Sequence, residues 1–271
     1  TAPPSAPLPT IAMKPIRLDY SNGMSTPSPT TPPPRLSSTV AVVTGGSRGI
    51  GLAIATAFVA RGARVVITGR DQKHLDEAAG RFPADAVAAV RADVSKADEA
   101  GRAIDAAVER FGGLDVLVNN AGIGHFAPVG EMSAGAWQDV IGTNLSGVFY
   151  CSTAALPHLK RRGGGWVINI SSLAGKNPFK GGAAYCASKA GLNAFSEALM
   201  QEVRCDNIRV SYIMPGSVAT DFGGPGGLGA ADWKIAPEDV ADLVLELVTF
   251  PSRSLPSCIE LRPSRPSTGL R

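Results

Sequence analysis

Tyr185 and Lys189 stand four residues apart, and Ser172 stands thirteen residues before the tyrosine. On a helix, a spacing of four puts two side chains on one face, one turn from each other. A phenol ordinarily ionises near pH ~10, and an ammonium one turn away stabilises its phenolate. A serine hydroxyl beside them can hold a substrate oxygen against the phenol. Together the three groups can pass a proton to or from an alcohol or carbonyl oxygen. A Tyr/Lys pair alone is more often an ordinary helix surface, so the rest of the chain has to decide.

The elements around these residues are the ones such chemistry needs. Residues 166–170, WVINI, are apolar and β-branched and read as a buried strand, which leaves Ser171 and Ser172 at its carboxyl end. After a glycine-rich turn, Ala183 opens a pattern of apolar and small residues that predicts a long helix over 183–204.

Composition narrows the classes. With 271 residues, 44% hydrophobic and 18% charged, the chain suits one soluble domain with a full core. The net charge is only +3, and no basic run exceeds Lys160, Arg161 and Arg162, which argues against nucleic acid as a partner. No apolar run approaches the ~18 residues that span a bilayer. Cys151, Cys186, Cys205 and Cys258 lack CxxC or regular spacing and read as reduced thiols, so a cytoplasmic location is expected. His74, His125 and His158 are scattered without ligand spacing, and no metal is expected.

Residues 1–38 hold ten of the 21 prolines, mixed with Ser and Thr, and read as a disordered lead. The lead has no secretory h-region, its few basic residues make a weak transit peptide, and Met24 is an alternative start. From Thr39 short apolar strands alternate with helices. Strands are predicted at 40–43, 64–68, 86–92, 114–118, 166–170, 209–214 and 258–261. Helices are predicted at 49–61, 71–81, 96–111, 131–161, 183–204 and 237–248, with Pro157 bending or tightening the fourth near its end. This alternation predicts an α/β fold in one domain over 39–271. It is a single Rossmann-type, doubly wound parallel sheet of seven strands flanked by helices.

Ligands of such a sheet sit beyond the carboxyl ends of its strands, and each remaining motif falls there. TGGSRGIG, residues 44–51, links the first strand to the first helix. Gly45, Gly49 and Gly51 allow a tight turn, close backbone approach and close helix packing, and the helix N-terminus offers amides to a pyrophosphate. Asp93 and Val94 end the third strand; Asp93 can accept from an adenine amino group or cap the next helix. Asn119, Asn120, Ala121 and Gly122 end the fourth, where small residues leave room for a ligand and the amides can tie strand ends together. Asn144 lies mid-helix, where its propensity is poor, and a buried structural asparagine is the plain reading.

The motifs TGGSRGIG (44–51), DV (93–94), NNAG (119–122), NLSG (144–147), ISS (170–172), YCASK (185–189) and PGSVAT (215–220) stand in one order. They resemble those of the short-chain dehydrogenase/reductase family, including its 3-oxoacyl-[acyl-carrier-protein] reductases, and the likeness runs from about residue 39 to 263. The resemblance implies that Tyr185 is the general acid/base and that Ser172 holds the substrate oxygen. It implies that Lys189 lowers the tyrosine's pKa and holds the nicotinamide ribose, and that Asn144 anchors a water in a proton relay. Gly45, Ser47, Arg48, Ile50 and Gly51 would line the pyrophosphate and adenosine end. Asp93 and Val94 would flank adenine, and Asn119 with Gly122 the ribose. Pro215, Gly216, Val218 and Thr220 would meet the nicotinamide carboxamide and phosphates.

The expected reaction is reversible carbonyl reduction or alcohol oxidation with NADP(H). An NAD-preferring site places an acid at the end of the second strand, but Gly69 stands there in this chain, followed by Arg70. Arg70 can pair bidentately with a 2′-phosphate, and Arg48 can approach from the other side. Asp71 is expected to cap the next helix. The loop after Pro215 is glycine-rich and is expected to close over a small ketone or a 3-oxoacyl thioester. Lys176 and Lys180 near its mouth could meet an acidic carrier, although a solvated turn is the plainer reading. An inactive dinucleotide-binding regulator would have lost one of the four catalytic positions, and none is lost. An extended-type sugar-nucleotide epimerase or dehydratase would need a longer C-terminal region than the 56 residues after Pro215. The surplus of apolar and small residues on helices 131–161 and 183–204 predicts a homotetramer, or at least a dimer, because the resembling family joins subunits through these helices.

Overall fold

A computed structural model of the chain describes residues 36–222 and 232–265. Of the expected lead, residues 1–35 lie outside the described residues, as do residues 223–231 of the glycine-rich loop. Leu36 already packs against the core, and its backbone N–H donates to the Arg61 carbonyl at 2.8 Å.

Seven strands form one parallel sheet: β1 (Val40–Val43), β2 (Arg64–Gly69), β3 (Val87–Arg91), β4 (Val116–Asn119), β5 (Gly165–Ile170), β6 (Ile208–Pro215) and β7 (Cys258–Leu261). Their order is β3-β2-β1-β4-β5-β6-β7. The winding runs outward from β1 to β3, then returns to place β4 on the other side of β1. The order therefore reverses between β1 and β4, and the crevice that binds ligands in such sheets opens above that pair.

Period-two alternation divides the strands between two cores. Ala41, Val43, Val65, Ile67, Val116, Val118, Trp166 and Ile168 point to one face. There they meet Ile54, Ala55 and Phe58 of α1 (Gly49–Ala60), Leu75 of α2 (Gln72–Ala79) and Val240 and Val244 of α7 (Pro237–Thr249). Val40, Val42, Val66, Leu117, Val167 and Val210 point the other way. They pack on Ile104 and Ala107 of α3 (Ala97–Phe111), Ala155 and Leu159 of α5 (Gly147–Arg162) and Leu199 and Val203 of α6 (Ala183–Val203). Each such Val, Leu or Ile contributes roughly 1.5–3 kcal/mol by leaving water, and the central strands have both faces covered.

One expected element is broken. The helix predicted over 131–161 is a 3₁₀ turn at Val129–Glu131, α4 (Ala134–Ile141), a π-turn at Gly142–Ser146, and then α5. Ser133 starts α4 by accepting from the Ala136 N–H at 3.1 Å. In the π-turn the Gly147 N–H reaches back to the Gly142 carbonyl. The cause lies in Asn144, whose side chain is drawn inward by the backbone of Ile123, a use of the extra residue typical of functional positions. Pro157 sits inside α5, which nevertheless runs on to Arg162 and ends at Gly163 in the left-handed conformation, φ 86°.

Among the described residues no helix is long and apolar enough to cross a membrane. No group of three or more His, Cys, Asp or Glu side chains there could hold a metal.

Candidate active site

The carboxyl ends of β1 to β6 border one cleft of about 1700 Å³. Its floor at β1 is a hydrogen-bonded corner. The buried Thr44 hydroxyl donates to the Val118 carbonyl and accepts from the N–H groups of Asn120 and Ala121, each at 3.0 Å. The Asn120 amide donates to the carbonyls of Thr44 and Gly45, at 2.9 and 3.1 Å. Asn120 lines the cleft, and the sequence reading gave it no ligand role. Its signal was only that it followed Asn119.

Gly45 and Gly49 hold positive φ, 63° and 53°. Gly51 is needed for space, since a Cβ there would lie 2.3 Å from the Gly45 carbonyl oxygen. It is packed behind the turn, while Gly45, Ser47, Arg48, Gly49 and Ile50 face the cleft. No side chain caps α1 and no acid stands in its first turn, so its first amides and the positive end of its dipole are left to the cleft. Such an end suits an anion.

At β2 the Gly69 and Arg70 backbone continues the cleft wall, and Ser47, Arg48, Arg70, Asp71 and His74 border an adjoining notch. The Asp71 carboxylate caps α2, accepting from the His74 N–H at 3.0 Å, and those local bonds hold it below the usual carboxylate range. At β3 the Asp93 carboxylate accepts from the Ser95 N–H and hydroxyl, at 3.1 and 2.7 Å, in a turn before α3. Burial works to raise its pKa, but the Ser95 bonds and the nearby Arg70 charge prevail and lower it. Lys96, not Asp93, occupies the N-cap of α3.

Asn119 is placed differently from what the family resemblance implied. It is 2% exposed and does not border the cleft; its amide donates to Asn169 Oδ1 at 2.8 Å and to Ser152 Oγ at 3.3 Å, tying β4 to β5 and α5. Strand alternation turns its side chain below the sheet while Asn120 and Gly122 face the cleft. Val94, Gly122, Pro215, Gly216, Val218 and Thr220 all border it.

At the centre stand Ser172, Tyr185 and Lys189. The turn after Ser172 lies directly on α6, where a Cβ on Gly175 would come within 2.7 Å of the Lys189 carbonyl carbon. This approach brings the end of β5 to the tyrosine. Burial raises the phenol above its ordinary pKa, and a hydrogen bond from the Ser172 hydroxyl works against it. Lys189, 4% exposed, donates to the Ile170 carbonyl at 2.8 Å, with its Nζ 5.8 Å from the Tyr185 ring centre. Burial pulls the ammonium down to about 8. In this structure, therefore, the tyrosine is not lowered as the resemblance implied, because the ammonium points to Ile170 and desolvation dominates.

Asn144 is fully buried behind this centre. Its Oδ1 accepts from the Ile123 N–H at 2.8 Å, and its Nδ2 donates to the Ile123 carbonyl and Ser188 Oγ, at 2.9 and 3.0 Å. These bonds employ both ends of the amide, so a water anchored there would have to use the backbone. The Ser188 hydroxyl in turn donates to the Tyr185 carbonyl at 2.7 Å.

The cleft is also lined by Phe126, Phe179, Phe222 and Trp233, which fall in segments 123–126 and 173–182 and the loop after Pro215, where the sequence places a substrate lining, and by Arg262 and Arg265, which it does not reach. Lys176, considered as a contact for an acidic carrier, is paired with Glu260, which also accepts from Arg262 at 2.6 Å.

Residues 39–226 match the family described as short chain dehydrogenase. An uncharacterized oxidoreductase of Staphylococcus saprophyticus is 35% identical over 227 residues, 83% of this chain and 97% of that protein. One from Staphylococcus aureus is 34% identical over 229 residues, covering 84% and 98%. Among solved structures, an alcohol dehydrogenase from the archaeon Thermococcus sibiricus complexed with 5-hydroxy-NADP superposes with a TM-score of 0.77 at 31% identity, over 84% of this chain and 99% of that one. A 3-ketoacyl-(acyl-carrier-protein) reductase from Brucella melitensis complexed with NADH gives 0.77 at 29% identity, over 84% and 98%. A metagenomic short-chain oxidoreductase in complex with NADP gives 0.74 at 38% identity, over 85% and 99%.

Proposed function

The chain belongs to the short chain dehydrogenase family and is an oxidoreductase, and we propose that it interconverts a small ketone and its secondary alcohol with NADP(H). The observation that carries this reading is the convergence of Ser172, Tyr185 and Lys189 on one cleft that also takes in an uncapped helix terminus beside two arginines. The cleft fits a dinucleotide: positive-φ glycines and the tight Gly51 packing leave room for a pyrophosphate against the α1 amides. Gly45, Ser47, Arg48 and Ile50 would hold that part, Asp93, Val94 and Gly122 the adenosine side, and Pro215, Gly216, Val218 and Thr220 the nicotinamide side. When bound, the cofactor supplies or accepts the hydride.

The chain's own residues handle the proton and the charge. Ser172 holds the carbonyl oxygen, and Tyr185, protonated at neutral pH as any phenol is, delivers its proton to that oxygen as negative charge develops. The Lys189 ammonium, held on the Ile170 carbonyl with its Nζ 5.8 Å from the Tyr185 ring centre, would stabilise the phenolate left behind by turning from that carbonyl toward it. Asn144 positions the group by locking Ile123 and Ser188.

Preference for NADP(H) is supported by Gly69, which leaves no carboxylate facing a 2′-phosphate, and by Arg48 and Arg70 around the adjoining notch. The nearest acid, Asp71, is spent on the α2 cap. The test is a panel of ketones and 3-oxoacyl thioesters assayed with NADPH and NADH. Parent protein should favour NADPH, Gly69→Asp/Arg70→Ile should reverse that order, and Tyr185→Phe should lose about 10²–10⁴-fold in turnover. A parent that favours NADH would overturn the cofactor reading, and near-parental turnover in Tyr185→Phe would overturn the mechanism.

A further inference from the structure

Two phenylalanines from separate segments pack on the catalytic phenol, and a third packs on one of them. Phe126 meets Tyr185 edge-on, with ring centres 5.8 Å apart at 71°. Phe222 lies 5.6 Å from Tyr185 at 53°, and Phe179 lies 5.8 Å from Phe126 at 46°. All three border the cleft.

Two glycines make this arrangement possible. A Cβ on Gly124 would stand 2.7 Å from Phe126 Cζ and 3.1 Å from Phe222 Cε1, and one on Gly182 would stand 2.6 Å from Phe179 Cε2. The ring edges thus lie over bare backbone, in space that a side chain at either position would take up. Yet Phe126 remains 48% exposed and Phe179 49% exposed, although both are large and apolar. Rings stacked on one another and left open toward a cleft form an apolar wall.

We propose that the substrate carries an aromatic ring close to its carbonyl group, and that Phe126 is the residue that selects it. This rests on the reading that Tyr185 protonates a carbonyl oxygen in the same cleft. A flat π-system can take the offset or edge-on positions that the three rings leave available. A saturated ring of similar size covers comparable apolar area without matching the ring quadrupoles, and a linear acyl chain matches neither.

The test compares 4-phenylbutan-2-one with 4-cyclohexylbutan-2-one, which share one carbonyl environment, using protein saturated with NADPH. The phenyl ketone should have a kcat/KM at least about fivefold higher, expressed chiefly in KM. Phe126→Leu should bring the ratio toward one, and Phe179→Leu, on a separate turn, should reduce it independently. Both ketones would also be titrated by calorimetry into Tyr185→Phe protein loaded with NADP. Equal kcat/KM for the two ketones in the parent, or an unchanged preference in Phe126→Leu, would overturn the proposal. Phenyl-selective binding without turnover in the parent would uphold the aromatic wall and condemn the reductase reading instead.

Discussion

Lys189 shows how one residue can serve the reaction at the expense of the fold. Its ammonium is enclosed, bonded to a carbonyl, and pulled down to about 8 from an ordinary 10.5. The unfolded chain therefore holds this proton more tightly than the folded one. The cost of burying the charge is fully present below pH ~8 and is relieved as pH rises toward ~10.5. Replacement by an uncharged side chain of similar length should remove that cost, on the order of 3 kcal/mol. Lys189→Met should accordingly unfold at a higher temperature relative to parent at pH 7 than at pH 10, while losing turnover. Loss of the Ile170 contact affects both pH values alike, so the difference between them isolates the charge. Thermal unfolding at the two pH values checks this, and a Tm difference that does not shrink between pH 7 and pH 10 would refute it.

At the level of elements, the site depends on backbone segments brought closer than side chains ordinarily permit. The β1–α1 turn sits on the start of α1 only because Gly51 has no Cβ, and Asn120 Nδ2, which would lie 2.4 Å from that Cβ, holds the Gly45 carbonyl in place. An added methyl would meet backbone oxygen, which cannot rotate away, and overpacking of this kind costs roughly 1–3 kcal/mol. Gly51→Ala should therefore lower Tm and weaken NADP(H) binding at least about tenfold, because the amides that face the pyrophosphate would shift with the turn. Calorimetric titration of the dinucleotide measures this directly. Parental affinity and parental Tm in the variant would show that the turn tolerates the displacement. The π-turn follows the same logic: one additional residue in the coil between α4 and α5 carries Asn144 inward to the end of β4.

At the scale of the molecule, the helices on one side of the sheet retain apolar surface that the described residues do not cover. Phe149 of α5 is 51% exposed and meets Phe195 of α6 edge-on at 6.4 Å, and Trp137 of α4 is 42% exposed. We expect this face to join copies of the chain. Light scattering at micromolar concentration should give about four times the chain mass of 27.9 kDa, or at least twice it. Phe149→Glu should shift the distribution toward smaller species. A parent that scatters only as a single chain would overturn the expectation.

Local pattern determined the part of this protein that local physics governs. Strand positions followed from β-branched runs, helices from periodic apolar residues, and the parallel winding from their alternation. The spacing of four between Tyr185 and Lys189 needed only a helix. What depended on three-dimensional approach was not legible: whether Asn119 or Asn120 faces the cleft, where a helix admits an extra residue, and which way a buried ammonium points. Segments 123–126 and 173–182 and the loop after Pro215 are legible as cleft lining, but the packing of Phe126, Phe179 and Phe222 on one another is not, since they are far apart in the chain and share no periodicity. They meet around Tyr185 only because the sheet brings its strand ends together and Gly124 and Gly182 leave space for their rings.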